Sequence, residues 1–273
     1  MDKKFSVSLS VYYNDNPFHF KEAFLSVIKQ TLLPTEIILV IDGPVPIKTR
    51  EIISDFKLNY SFLKVIELKQ NQGHGNARRI GLANCTNNIV ALMDSDDISV
   101  LNRFELQFNF LLKNPQISLV GGQIEEFEGN INNIISKREV PETDMQIKEY
   151  IKYRCPINQM TVMFRKDKVI EAGGYLDWFC NEDYYLWIRM ILKNNKFHNL
   201  SETLVKFRID LNMYIRRGGL KYFMSECKIQ NLMREKGLIT FYRFTLNIII
   251  RFIIQILLPP KARKLIFLKF ARN

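Results

Sequence analysis

The stretch Ile89-Val90-Ala91-Leu92-Met93-Asp94-Ser95-Asp96-Asp97 decides the fold. Five apolar residues without interruption, closed abruptly by polar ones, read as a buried parallel strand rather than a helix. In open α/β sheets ligands bind beyond the carboxyl ends of the strands, which is where Asp94, Asp96 and Asp97 fall. Carboxylates so close together need a cation to neutralise them, and a hard divalent ion such as Mg²⁺ or Mn²⁺ suits the task. Asp and Ser also cap helices well, so the tetrapeptide alone leaves a metal site and a helix cap both open.

Outward from that strand, strand and helix alternate. Phe5, Val7, Leu9 and Val11 alternate with Ser6, Ser8 and Ser10, a period of two that predicts a strand over 5–13. Asn16 and Pro17 then supply a cap and a first helical residue. Phe20, Ala23, Phe24, Val27 and Ile28 mark one face of a helix. A strand over 36–41 ends at Asp42-Gly43-Pro44. A helix is expected over 47–58, a strand over 62–68, a loop over 71–75 and a helix to 83. After the Asp94 strand come a helix over 101–113 and a strand over 117–120. This alternation predicts a mostly parallel sheet with helices on both faces.

Beyond 123 the pattern weakens. Glu125, Glu126 and Glu128 are expected to face solvent on a hairpin or edge strand. Residues 143–153 read as helix, 158–164 as a short strand and 181–192 as helix, with Asn181 as its cap. The chain is thus read as a nucleotide-binding half (1–122), a second half completing the site (123–208) and an appended tail (209–273).

With 273 residues, 47% of them hydrophobic, the chain can bury a substantial core. Cys85, Cys155, Cys180 and Cys227 lack metal-ligand spacing and read as reduced thiols. His19, His74 and His198 lie far apart, which argues against a zinc site or a Ser-His-Asp triad. Lys3-Lys4 precede an apolar stretch, but its strand period and the absence of an A-x-A-like site point to a cytoplasmic start, not an export signal. The net charge of +11 is unevenly spread. Residues 1–202 hold 24 basic and 25 acidic side chains, whereas 203–273 hold 15 and 3. The tail therefore calls for an anionic partner: a membrane surface, a nucleic acid or a phosphorylated substrate.

Asp42, at a strand end on the same sheet edge as Asp94, could hydrogen-bond a ribose or a base, although alone it reads as a turn residue. Asn71-Gln72-Gly73-His74-Gly75-Asn76-Ala77-Arg78-Arg79 brings glycines and arginines to a helix start, a setting that binds phosphate. His74 reads there as a loop residue. Glu182-Asp183 opens a helix carrying Tyr184, Tyr185 and Trp187, with Tyr175 and Trp178 just before it. The pair reads either as a surface cap favoured by the helix dipole or as a general base with aromatics to stack on sugar rings.

Taken in order, Tyr13-Asn14, Asp42, the Asn71–Gly73–Ala77-Arg78–Gly81 loop, Asp94-Ser95-Asp96-Asp97, Asn158 with Thr161–Arg165, and Glu182-Asp183 resemble the inverting GT-A glycosyltransferases of family 2. The bacterial O-antigen and capsule enzymes are the nearest type, and the resemblance spans about 5–208. Val11 stands where the family usually has proline, and Arg79 where it commonly has Asn. The resemblance implies a GT-A fold in which Asp42 holds uridine, Asp94 contacts the ribose or metal region, and Asp96 coordinates Mn²⁺ or Mg²⁺. Asn71 and Arg78 would line the donor site. Asp183 would take the acceptor proton, with Asn158, Gln159, Trp178 and Glu182 bordering the acceptor. Arg216, with Arg217, would close on the donor diphosphate. UDP-glucose or UDP-galactose is the expected donor.

In the tail, Arg243, Asn247, Arg251 and Gln255 recur every four residues and make one polar stripe on an apolar helix over 244–258. Fifteen residues at about 1.5 Å each span roughly 22 Å, too short for a bilayer core of about 30 Å. Pro259-Pro260 ends the helix, and Lys261, Arg263, Lys264, Lys269 and Arg272 follow among apolar residues. The tail reads as an in-plane anchor on anionic lipid at the cytoplasmic face, or as a segment packed on the enzyme. An anchor there makes a polyprenyl-diphosphate-linked sugar the natural acceptor. Three rival functions are a Mg²⁺-dependent phosphohydrolase, a sugar-phosphate nucleotidyltransferase and a nucleic-acid-binding protein. The position of the acidic motif on the fourth strand, the lack of a long Gly-rich N-terminal loop, and the apolar tail count against each in turn, so no nucleic-acid partner is expected.

Overall fold

The computed structural model describes residues 4–209, 215–263 and 266. Its centre is a mixed sheet. Four strands run parallel in the order β3 (Leu63–Glu67), β2 (Glu36–Asp42), β1 (Ser6–Tyr12) and β4 (Ile89–Met93). The sheet continues through β8 (Met163–Arg165), β6 (Ile117–Phe127), β9 (Lys196–Arg208) and β5 (Ile98–Ser99), with β7 (Ile134–Arg138) paired on β6. Pairs β4–β8 and β8–β6 are antiparallel and β6–β9 is parallel. Parallel neighbours require crossovers, which α1 (Pro17–Ile28), α2 (Ile47–Asn59) and α3 (His74–Asn84) supply. This is the α/β architecture that the alternation predicted.

Two apolar cores cover the two faces of the sheet. On one, Phe5, Val7 and Leu9 pack against Phe20, Phe24 and Phe56, and against Phe104 and Phe108 of α4 (Arg103–Lys113). The Phe24 and Phe56 rings stack at 4.0 Å. On the other, Leu92 and Phe164 meet Tyr175 and Trp187. Ser6 and Ser8 of β1 are buried too. Ser6 Oγ donates to Glu36 Oε1 at 2.6 Å. Ser8 faces α3 at Gly81, where an added Cβ would stand 2.4 Å from Ser8 Oγ. A small side chain on each element lets α3 lie close enough for Arg78 to reach the Ser8 carbonyl at 3.1 Å.

The second half differs from expectation in three places. Glu126 is fully buried, taking a hydrogen bond from Ser136 Oγ at 2.7 Å, because β7 pairs alongside β6 with Ser136 directly opposite. Glu128 is exposed, as expected. Residues 144–150 form α5 (Asp144–Tyr150), and a 3₁₀ turn (Gln159–Thr161) precedes β8. The long strand β9 had no legible signature. Its register against β6 slips at Ile117/Leu119, Gly122/Gln123 and Gln123/Ile124, so the apolar alternation changes phase within the strand.

After α6 (Lys166–Glu171) and α7 (Glu182–Leu192) come α8 (Leu220–Glu235), α9 (Phe241–Phe252) and a π turn (Ile253–Leu257) ahead of Pro259-Pro260. The polar stripe of α9 faces the enzyme. Asn247, 3% exposed, donates to Gln230 Oε1 at 2.7 Å and to the Lys152 carbonyl at 2.8 Å. Arg251 Nε donates to Glu226 Oε2 at 2.5 Å. Several apolar residues of α9 and the π turn point outward: Ile249 is 51%, Ile253 45% and Leu257 61% exposed. Arg263 is also turned inward, donating to the carbonyls of Ile254, Gln255 and Leu258, and so is not a lipid-facing cation. Lys264, Lys269 and Arg272 lie outside the described residues. No helix among the described residues is long and apolar enough to cross a membrane.

Candidate active site

Three carboxyl-terminal strand ends meet at one edge: Tyr12 of β1, Asp42 of β2 and Met93 of β4. Asp42 is buried, and both of its carboxylate oxygens accept backbone N–H bonds, from Gln72 at 2.7 Å and Gly73 at 3.1 Å. It fastens the loop before α3 to the end of β2. Asn71 Nδ2 returns a bond to the Asp42 carbonyl at 3.2 Å. Gly43 makes the contact feasible: its φ is +85°, and an added Cβ would lie 2.6 Å from the Asn71 nitrogen.

That loop aims α3 so that Arg78, almost wholly buried, pairs with Asp94. Arg78 Nε also donates to His74 Nε2 at 3.2 Å. An arginine cannot accept, so Nε2 carries the lone pair and His74 Nδ1 donates to Glu182 Oε1 at 2.6 Å. His74 is thus not an idle loop residue. It is the first residue of α3 and joins the Asp94 end of the site to α7.

Around Asp94 the acids crowd. Burial, with Asp94 and Asp15 nearby, pushes the Asp96 carboxyl up to about 7. Burial also raises Asp15, which accepts from Ser95 Oγ at 2.8 Å. Asp97 is completely buried; its Oδ1 accepts from the Arg208 N–H at 2.9 Å, and burial holds the acid far above the usual range. Arg216 lies near enough to Asp96 to favour its ionised form. Arg103, sealed beneath β4, donates to the Leu92 carbonyl at 2.7 Å. Asp15 was missed in the sequence; its position just beyond the carboxyl end of the strand over 5–13 was the available signal. Among the described residues no three His, Cys, Asp or Glu side chains form a ready cage for a metal ion.

Across the cavity stands the first turn of α7. Glu182 is buried, not a surface cap. Burial is the largest influence and would raise it, but the His74 hydrogen bond, a backbone hydrogen bond and the nearby charges of His74 and Arg78 together hold it below the usual carboxylate range. The half-buried Asp183 is pushed up to about 7 by burial and by Glu182 beside it, against a 2.6 Å bond from the Tyr184 N–H. Gly75 permits the close approach of α3 to this turn: an added Cβ would meet the Leu176 carbonyl at 3.0 Å and Glu182 Cβ at 3.3 Å. Asn181 does not cap the helix with its side chain, which instead donates to Ser225 Oγ on α8 at 3.1 Å.

Asp42, Asn71, Arg78, Asp94, Asp96 and Arg216 share one cavity of about 840 Å³ with Gln159, Trp178, Glu182 and Asp183. Asn158 does not line it. Its buried side chain donates to the Gly122 carbonyl at 2.9 Å and braces β6. Tyr175 and Trp187 are core residues packed edge to face at 6.3 Å, so they do not stack on ligands. Trp178, its ring tilted 33° against that of Tyr185 at 4.1 Å, is the indole at the cavity.

A parallel sheet with acids at its carboxyl edge, facing an ionisable carboxyl on a helix across one cavity, defines a two-substrate transferase of the GT-A fold. Residues 11–170 match the glycosyl transferase family 2. The chain belongs to that family and is a glycosyltransferase. It is 35% identical over 270 residues to an Escherichia coli UDP-Gal:alpha-D-GlcNAc-diphosphoundecaprenol beta-1,3-galactosyltransferase, covering 99% of this chain and 97% of that one. Among solved structures, Staphylococcus aureus TarS in complex with UDP-GlcNAc has a TM-score of 0.66 at 18% identity, covering 92% of this chain and 72% of that chain. The mannosyltransferase PcManGT of Pyrobaculum calidifontis, in complex with GDP-Man and Mn²⁺, has a TM-score of 0.64 at 12% identity, covering 92% and 70%. These two likenesses are of fold.

Proposed function

We propose that this chain transfers a hexose, galactose or glucose, from its UDP-sugar to a sugar carried on a polyprenyl diphosphate, with inversion at the anomeric carbon. The observation that carries the reading is the single cavity with the Asp94–Asp96 cluster at one end and Asp183 at the other. The near-neutral Asp183 carboxyl suits it to accept the proton of the attacking hydroxyl as that oxygen reaches the anomeric carbon from the face opposite the leaving diphosphate. Glu182, kept ionised by His74, favours the carboxyl form of Asp183 until the substrate hydroxyl arrives. Asp42 and Asn71 bind the uridine end, while Arg78 holds Asp94 in place. Arg216 offers its charge to the donor diphosphate.

The donor set fits a hard divalent cation. Asp96 would supply one oxygen ligand, with Asp94 close by, as Mg²⁺ or Mn²⁺ commonly takes one or two carboxylates and completes its shell with substrate phosphates and water. When bound, such an ion neutralises charge on the departing diphosphate. The reading is tested by thermal shift with UDP-galactose, UDP-glucose and GDP-mannose, with and without Mn²⁺, followed by the anomeric configuration of the product. Stabilisation by a UDP-sugar with Mn²⁺ and a β product support it; a retained α configuration overturns the inverting mechanism.

The outward apolar face of α9 and the basic tail support peripheral attachment to an anionic membrane at its cytoplasmic face. The division into donor half (1–122), acceptor half (123–208) and membrane-associating tail (209–273) belongs to the same proposal.

A further inference from the structure

The inward side of the C-terminal segment meets the turn that carries Arg216. We propose that Arg263 is a positioning residue of the transfer reaction: by capping the end of the π turn and packing on Gly218, it sets Arg216 against the donor diphosphate. The inference rests on the role proposed above for Arg216 and extends it to a residue that does not itself line the cavity.

The need for a cap follows from the sequence. A helix leaves its last carbonyls without partners, and proline has no N–H to offer. Pro259 and Pro260 stand where the helical donors for the Gln255 and Ile256 carbonyls would be. The Leu258 N–H, which an α-helix would give to Ile254, bonds the Ile253 carbonyl instead at 3.2 Å. The carbonyls of Ile254 and Gln255 therefore need other donors. Arg263, 4% exposed, folds back over them. Its Nε donates to Ile254 at 3.1 Å, and its Nη2 to both Gln255 and Leu258 at 3.0 Å. The planar guanidinium holds these donors in a fixed fork.

The same Gln255 carbonyl accepts the Gly219 N–H at 2.9 Å. One oxygen thus ties Arg263 to the start of α8. Gly218 lies so close to the guanidinium that an added Cβ would collide with it. The Gly218 N–H in addition bonds the Ile215 carbonyl at 3.2 Å, closing a turn around Arg216 and Arg217. Both arginines line the cavity, and the charge of Arg216 acts on Asp96. A guanidinium binds phosphate oxygens well only when its fork is aimed at them. Where this turn is held therefore decides what Arg216 contributes, and Arg263 with the Gln255 carbonyl holds it.

The test is isothermal titration of the full-length protein, in Mn²⁺, with UDP and with uridine, which lacks the diphosphate. Arg216→Ala is expected to weaken UDP about tenfold, as for one charge-assisted hydrogen bond. Arg263→Leu is expected to weaken UDP about fivefold and to leave uridine affinity unchanged. Added to Arg216→Ala, it should weaken UDP no further, because it acts through Arg216. If Arg263→Leu does not fold, Gly218→Ala decides in its place: it leaves every charge present and should weaken UDP about threefold, again with uridine unchanged. Unchanged UDP affinity in the deciding variant, an equal loss for uridine, or losses that multiply with Arg216→Ala would each overturn the positioning role. Normal UDP binding by Arg216→Ala itself would mark failure of the donor role of Arg216 and overturn the proposal with it.

Discussion

His74 Nδ1 lies 2.6 Å from Glu182 Oε1, and this one bond fastens the helix that carries Arg78 to the helix that carries Asp183. The two ends of the cavity are thereby set at a fixed separation before any substrate binds. His74→Ala leaves a buried carboxylate without its partner and is expected to cost about 2 kcal/mol in urea unfolding. Glu182→Gln retains an acceptor for Nδ1 and should cost about half of that or less. Equal losses would show that the charge of Glu182, not its hydrogen bond, carries the effect.

Asp183 must be ionised to accept a proton, and burial with Glu182 beside it sets its pKa at about 7. Transfer is therefore expected to be slow below that pH and to rise to a plateau above it. Asp183→Asn should retain UDP-sugar binding and lose transfer by roughly 10²–10⁴-fold, the usual worth of a general base. A rate independent of pH between 6 and 8 in the unmodified enzyme would remove Asp183 from that role.

The acidic cluster makes a second pH prediction, of opposite sign. The folded-state pKa of Asp96, about 7, lies above its unfolded value, so the folded protein binds the extra proton. This stabilisation is complete below the unfolded pKa and is lost as pH rises through about 7. Melting of the ligand-free protein should accordingly shift downward between pH 5 and 8. Asp96→Asn should flatten that slope and remove any Mn²⁺-dependent gain from UDP. A melting temperature that climbs over the same interval in the unmodified chain would contradict the pKa order.

Substitutions on α9 should separate its two faces. Asn247→Leu strips partners from Gln230 and from the Lys152 carbonyl, and is expected to destabilise the fold by about 1–3 kcal/mol. The double variant Ile249→Asn, Ile253→Asn touches the outward face and should melt normally yet float poorly with anionic vesicles. Unchanged flotation would move the attachment away from α9.

The first half was legible where a strand is buried on both faces and uninterrupted, as at Ile89–Met93, or keeps a strict period of two, as in β1. Helix α1 was equally plain, since Asn16, Pro17 and the Phe20–Val27 spacing all point the same way. What escaped has physical reasons. The phase of β9 changes at its register slips. Asp15 and His74 acquire their roles only from neighbours distant in sequence, Ser95 and Glu182. Asn158 has the composition of a binding residue but is spent on the Gly122 carbonyl. For α9, periodicity reveals two faces yet cannot say which turns inward, and here the polar one does.

That last orientation means that this enzyme has no separable catalytic core ending before its C-terminal helix. The segment that presents Ile249 and Ile253 to the outside also supplies Ile250 and Ile254 as wall of the cavity, and the Arg251–Glu226 pair is the clasp between them. Trimming the chain before α9 would open the side of its own reaction chamber, so the outward aliphatic surface and the enclosure of the cavity come from one and the same stretch of sequence.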